Sequence, residues 1–157
     1  MNHPNVKEIG IVGVQFGLNV TVVQPANLYG CFIGDDAFVG PFVEIQKGVT
    51  IGARTKVQSH SFICELVTVG DDCFIGHGVI FTNDVFAHGG PARGDKSLWK
   101  PTMIGDRVSI GSNATLLPVS VCNDVVIGAG AVVTKDIVQP GVYLGVPARL
   151  KTNNKPA

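Results

Sequence analysis

Along this chain a bulky apolar residue returns at every sixth position, at Ile33, Val39, Ile45, Ile51, Val57, Ile63, Val69, Ile75 and Phe81, nine times without a miss. Four residues after each comes a smaller one: Ala37, Val43, Val49, Thr55, Ser61, Val67, Cys73 and Val79. Glycine often follows the bulky residue directly, as at Gly34, Gly40, Gly52, Gly70 and Gly76. A step of six does not close on the 3.6-residue turn of an α-helix, whereas a small and a large residue two apart share one face of an extended strand. Each hexad is therefore expected to be a short strand plus a turn, with glycine where a side chain would obstruct the bend. So short a strand cannot bury its face alone. Three hexads closed into a triangular coil can, because the bulky and small positions then fill a common interior and residues about 18 apart stack at ~4.8 Å. The pattern predicts an all-β parallel solenoid.

The count fails after Phe81 and resumes at Ile104-Gly105-Asp106, Ile110-Gly111-Ser112 and Leu116, with one short step from Cys122 to Ile127. The next small inward residue is due at position 85, and Thr102 takes that role, so 17 residues, Val85 to Pro101, are inserted. Gly89, Gly90, Pro91, Gly94 and Pro101 exclude a regular element there. A long excursion from a compact coil is more often functional than accidental, and a projecting loop is a direct way to make a concave site on a flat prism face. The 18-residue spacing places Lys47, Glu65 and Asn83 in one ladder at the base of this loop. His60 and His77 fall near one another on a different corner, and His88 lies in the loop itself. The first 30 residues keep no clear frame and read as an irregular N-terminal cap.

Composition narrows the classes. With 157 residues, 45% hydrophobic and 15% charged, the chain is long and apolar enough for one folded domain over 1–157. Twelve basic residues balance twelve acidic ones without a basic run, which argues against nucleic acid or an anionic membrane as partner. The polar start MNHPNVKEIG, and the lack of any stretch near the ~18 apolar residues of a membrane span, suggest a cytoplasmic protein. Cys31, Cys64, Cys73 and Cys122 form no CxxC pair and are expected to be free thiols, with Cys73 and Cys122 packing inward.

The hexad pattern resembles that of the hexapeptide-repeat acyltransferases from Ile33 to Arg149, and IGAGAVVTKDI (Ile127 to Ile137) and GVPAR (Gly145 to Arg149) are similar to that family's closing coils. The resemblance implies a left-handed parallel β-helix of hexapeptide repeats with one long loop inserted between coils, working as a homotrimer. FTND, Phe81 to Asp84, followed by an irregular loop with Pro91 and Arg93, resembles the branch that uses acetyl-CoA to acetylate amino groups on nucleotide-linked sugars. That branch carries Asp or Glu one coil below the asparagine, matched here by Glu65. Its loop often has Pro and Arg adjacent, whereas Ala92 separates them here. Carried over, the resemblance implies substrate contacts from Asp84, Arg93 and His88. For acetyl-CoA it implies a groove along the later coils, where Gly128, Ala129, Gly130 and Ala131 admit a ligand to the backbone, with Lys135, Arg149 and Lys151 supplying charge for phosphates.

Acyl transfer to an amine requires a neutral amine held against a thioester carbonyl, a proton acceptor and donors for the oxyanion. Glu65 would receive the amine's proton, and Asn83 would orient the amine or donate to the carbonyl oxygen. The alternative is O-acetylation of a sugar hydroxyl with His77 as base. The family's zinc branch needs three histidines at spacings that His3, His60, His77 and His88 do not show, so no metal is expected. A non-catalytic assembly module would explain the period but neither the loop nor FTND.

Overall fold

The computed structural model describes residues 4–5 and 9–152; His3 lies outside them. Strands of two to four residues stack into three sheets of seven, six and eight strands, the faces of a triangular prism. The seven-stranded face runs through Asn27–Tyr29, Glu44–Ile45, Phe62–Ile63, Ile80–Phe81, Thr115–Leu116 and Val132–Val133. Every pairing is parallel except Gly141–Leu144 with Arg149–Leu150, a hairpin that closes the last coil. No helix among the described residues is long and apolar enough to cross a membrane.

The interior is the hexad frame itself. Ile33, Val39, Ile45, Ile51, Val57, Ile63, Val69, Ile75 and Phe81 are all fully or almost fully buried, with the small residues between them. At two small positions that carry a hydroxyl the coil satisfies it: Thr55 and Ser61 donate to the carbonyls of Gly70 and Gly76, both at 2.8 Å, whereas the buried Thr102 hydroxyl finds no partner among the described residues. Gly52 shows why glycine follows the bulky residue, since an added Cβ would run into the Gly70 carbonyl of the next coil. On the corner between the six- and eight-stranded faces, charges alternate from coil to coil. Arg54 grips Asp72 through two bonds of 2.6 and 2.8 Å, and Arg107 grips Asp124 through two of 2.7 and 3.0 Å.

The regular coil begins earlier than the frame around Ile33 suggested. Instead of an irregular cap up to about residue 30, four strands lie between Ile11 and Tyr29. Ile11, Phe16, Val22 and Leu28 pair in register with Leu28, Ile33, Val39 and Ile45, a step of 17 each time. One trimmed turn between Leu28 and Ile33 shifts the phase, so counting back in sixes from Ile33 lands on Asn27, Thr21 and Gln15. The same slip recurs near the other end. Val121, not Cys122, pairs with Ile104, so the short turn lies before Val121 and Cys122 is only half-buried. Cys73 is buried.

The insertion is absorbed without any shift of register. Val67 pairs with Thr102 and Val69 with Ile104, partners 35 apart, which is one coil of 18 plus the 17 inserted residues.

Candidate functional site at the loop corner

The loop leaves the seven-stranded face where Ile80–Phe81 ends. Phe81 is the largest fully buried side chain among the described residues and anchors the departing chain from inside. Thr82 donates from Oγ1 to the Leu116 carbonyl at 3.1 Å. Asn83 donates from Nδ2 to the Glu65 main-chain carbonyl of the coil below at 3.1 Å, and its own carbonyl accepts from Lys100 N at 2.8 Å, pinching the loop shut at its base. Asp84 holds the loop's inner course: its carboxylate accepts from Phe86 N at 2.9 Å and from Ala92 N at 2.7 Å.

Further along, Asp95 accepts from Ser97 N at 3.0 Å and from Ser97 Oγ at 2.6 Å, starting a single 3-10 turn over Lys96–Leu98. This turn brings Lys96 back to the corner, where its Nζ lies 2.8 and 2.7 Å from the two carboxylate oxygens of Glu65. The same ammonium sits 5.1 Å from the ring centroid of Trp99. The carboxylate's partner is therefore Lys96 and not Lys47, the cation its ladder position suggested; no Lys47 ion pair occurs among the described residues.

Roofed by this loop is a cavity of about 390 Å³. Phe62 and Ile80 form its apolar floor, Gln46, Asn83 and Asp84 its polar edge, and Phe86 and Trp99 its roof. Trp99 Nε1 is buried without a hydrogen-bond acceptor among the described residues. Cys64 also reaches the cavity, but burial pushes its thiol up to about 11, which keeps it protonated and a poor nucleophile. Beside the cavity a polar chain runs through Gln46, which donates to Glu44 Oε1 at 2.9 Å and accepts from Glu65 N at 3.3 Å. Tyr29 stands within reach of both carboxylates; burial, then Glu44 and Glu65, raise its hydroxyl above the ordinary range.

The structure thus brings Glu65, Asn83 and Asp84 to one corner. Arg93 and His88 are exposed in the loop and do not line the cavity. His77 is on a different corner, exposed, with Nδ1 2.9 Å from Ser59 Oγ, while His60 stacks on Phe42 at 4.9 Å. Gly128 to Ala131 share the His77 corner, connected to it coil by coil through Asn113 N to the His77 carbonyl at 2.8 Å and Gly130 N to the Ser112 carbonyl at 2.9 Å. Above Gly130 nothing would meet an added Cβ, so its backbone is open to a ligand. Lys135 and Arg149 line a separate cavity of about 250 Å³ with Tyr143 and Asp136. Sequence reasoning missed Lys96, Trp99, Phe86 and Gln46. For the loop residues the only local signal was Asp95 followed by Ser97, a turn-starting pair that says nothing of where the turn points. Among the described residues no cluster of histidine, cysteine, aspartate or glutamate is arranged for a metal ion.

Fold and corner together define a parallel β-helix with a candidate site built by a loop inserted between coils. The repeat itself matches two descriptions: "Bacterial transferase hexapeptide (six repeats)" over residues 30–65, and "Hexapeptide repeat of succinyl-transferase" over residues 66–82 and 101–135, either side of the loop. The chain belongs to the hexapeptide-repeat transferase family. It is 38% identical over 116 residues to the bifunctional protein GlmU of Dichelobacter nodosus, an alignment that covers 73% of this chain and 22% of that one. Across the curated relatives that it matches, the chain spans about a fifth to a third of their length. In structure it is similar to a variant of AntD, an N-acyltransferase from Bacillus cereus, in complex with dTDP and coenzyme A. The TM-score is 0.78 at 22% identity, covering 90% of this chain and 84% of the other. A variant of perosamine N-acetyltransferase from Caulobacter crescentus in complex with CoA and GDP-perosamine gives a TM-score of 0.67 at 19% identity, covering 91% and 57%.

Proposed function

We propose that the protein transfers an acetyl group from acetyl-CoA to the amino group of a nucleotide-linked amino sugar, as a homotrimer. The observation that carries this reading is the way the loop corner treats an ammonium. Glu65 holds one on both oxygens, contributed by Lys96, directly beneath Asn83. Asn83 spends its Nδ2 on the Glu65 carbonyl, which leaves Oδ1 as an acceptor for an amine N–H. The names and ligands of AntD and the perosamine enzyme support the same class.

In the reaction the amine nitrogen attacks the thioester carbonyl carbon, the C–N bond forms, the C–S bond breaks and CoA leaves as thiolate. Asn83 holds the nitrogen; the Glu65 carboxylate takes the proton that frees the amine from its ammonium form, and the proton released as the C–N bond forms goes to the departing thiolate. Acetyl-CoA fits the corner of Gly128 to Ala131, where Ala129 and Gly130 leave the backbone exposed. Lys135 and Arg149, in their cavity at the last coil, supply positive charge for its phosphates.

A second reading rests on His77. With Nδ1 beside Ser59 Oγ, its ring is oriented and Nε2 is left to act as base for a sugar hydroxyl. The test is release of CoA thiol from acetyl-CoA with UDP- and dTDP-linked amino sugars beside their hydroxyl counterparts, for the wild type, Glu65→Gln and His77→Asn. Turnover confined to amino sugars and lost in Glu65→Gln supports N-acetylation. Turnover of hydroxyl sugars, lost in His77→Asn and mildly affected in Glu65→Gln, overturns it in favour of O-acetylation.

A further inference from the structure

Lys96 does something that neither the fold nor the acceptor reading requires. It is an exposed residue of an irregular loop, yet its ammonium meets both oxygens of a carboxylate that is only 21% exposed. The arrangement mimics the ammonium of an amine-bearing ligand held by the same two oxygens. We propose that Lys96 is an internal competitor for the acceptor amine: it occupies Glu65 in the free protein and is displaced by the acceptor's ammonium, so that only amines strong enough to compete gain the corner. The proposal rests on the N-acetylation reading of this site and adds a specificity-determining residue to it.

Three features make the exchange feasible. The pair is cheap to open, because the Lys96 side chain is 57% exposed and water replaces its partner as it leaves. A second carboxylate stands close by: Glu44 reaches Gln46, which also accepts from Glu65 N, and Glu44 has no ion-pair partner among the described residues. The ammonium also lies 5.1 Å from the Trp99 ring centroid while it is paired, a contact it can retain as it leaves the carboxylate. A neutral hydroxyl sugar cannot drive this exchange, because it brings no charge to replace the one that Glu65 would lose. A ligand shifts such an equilibrium only by its differential affinity for the two states, and charge provides that difference here.

The experiment measures binding of dTDP-linked amino sugars and of their hydroxyl counterparts to the wild type and to Lys96→Met, which keeps an unbranched side chain and removes the charge. Trp99, the only tryptophan of the chain, reports the displacement by its emission. The expected result is that Lys96→Met binds the amino sugar roughly two- to five-fold tighter, the value of an exposed ion pair. Its affinity for the hydroxyl sugar stays level or falls, so the ratio between the two rises. In the wild type the amino sugar changes Trp99 emission and the hydroxyl sugar does not. If Lys96 merely latches the loop, both sugars bind Lys96→Met more weakly by one factor and the ratio stays put; that overturns the proposal, while continued acetylation of the amino sugar would leave the N-acetylation reading intact. If neither sugar binds or is acetylated by the wild type, both readings fall together.

Discussion

Removing the Asp84 carboxylate is expected to loosen the loop while sparing the prism. Its two oxygens accept from Phe86 N at 2.9 Å and Ala92 N at 2.7 Å, joining the two sides of the loop's inner course. A hydrogen bond to a charged group contributes about 1.5–3 kcal/mol, the Phe86 bond falling at the low end because it is exposed and the Ala92 bond higher because Ala92 is buried. Asp84→Ala should therefore cost the loop's closed state roughly 3–5 kcal/mol. Asp84→Asn keeps one acceptor oxygen without the charge and should cost about half of that. In hydrogen exchange the Ala92 amide would open roughly 10- to 100-fold more often in Asp84→Asn, and more often still in Asp84→Ala. Because the prism keeps its register through the insertion, the global melt should move by less than about 2 °C. Were the same energy lost from the whole fold, Tm would drop by about 6–20 °C in Asp84→Ala, at about 2–4 °C per kcal/mol. A drop of that size, or unchanged exchange at Ala92, would refute the view that Asp84 organises a locally independent loop. Acetyl transfer should fall with loop closure, since Phe86 and Trp99 form the cavity's roof.

Two further outcomes follow from the coil itself. Gly52→Ala forces a Cβ against the Gly70 carbonyl, so the melt should drop by several degrees, corresponding to about 1–3 kcal/mol of overpacking; an unchanged Tm would show that the corner yields. Asp72 and Asp124 are held below the ordinary carboxylate range by the bonds from Arg54 and Arg107, so the stability they contribute is present above about pH 5 and is lost as pH falls below the usual ~3.9 through their folded values. The stability gap between wild type and an Arg54→Met, Arg107→Met variant, read from urea melts, should therefore shrink as the pH is lowered through this range, and a gap of constant size would count against the ladder's role.

Between Ile33 and Phe81 the fold was legible because an interior that holds one bulky residue per face leaves no choice at those positions. The length of the insertion was legible for the same reason: Thr102 had to find the interior again. Phase was harder to read. A turn shortened by one residue is sterically tolerable at a corner, and two such turns hid the coils from Ile11 to Leu28 and moved the inward role from Cys122 to Val121. At the site, spacing arithmetic placed Asn83 above Glu65, and Asn83 Nδ2 does reach the Glu65 carbonyl. It put Lys47 on that ladder and could not show Lys96, because Lys96 belongs to a segment whose path is set by Asp84, Asp95 and Asn83 and by no period. His60 and His77 lie on one corner away from the loop, as the count placed them, since both sit within the counted frame.

The unbroken register across the insertion has a consequence for how such a chain can change. A hairpin loop constrains its length, since one added residue turns every side chain of a strand to the opposite face. Here the chain departs after Phe81 and re-enters at Thr102 on the next face, and the coil pairs as if nothing lay between. Residues can enter or leave the excursion singly without compensation in the core, and closing a longer loop costs little additional entropy. The corner therefore works as a socket into which different loops can be fitted, so that the lining of the candidate site can drift while the prism stays fixed.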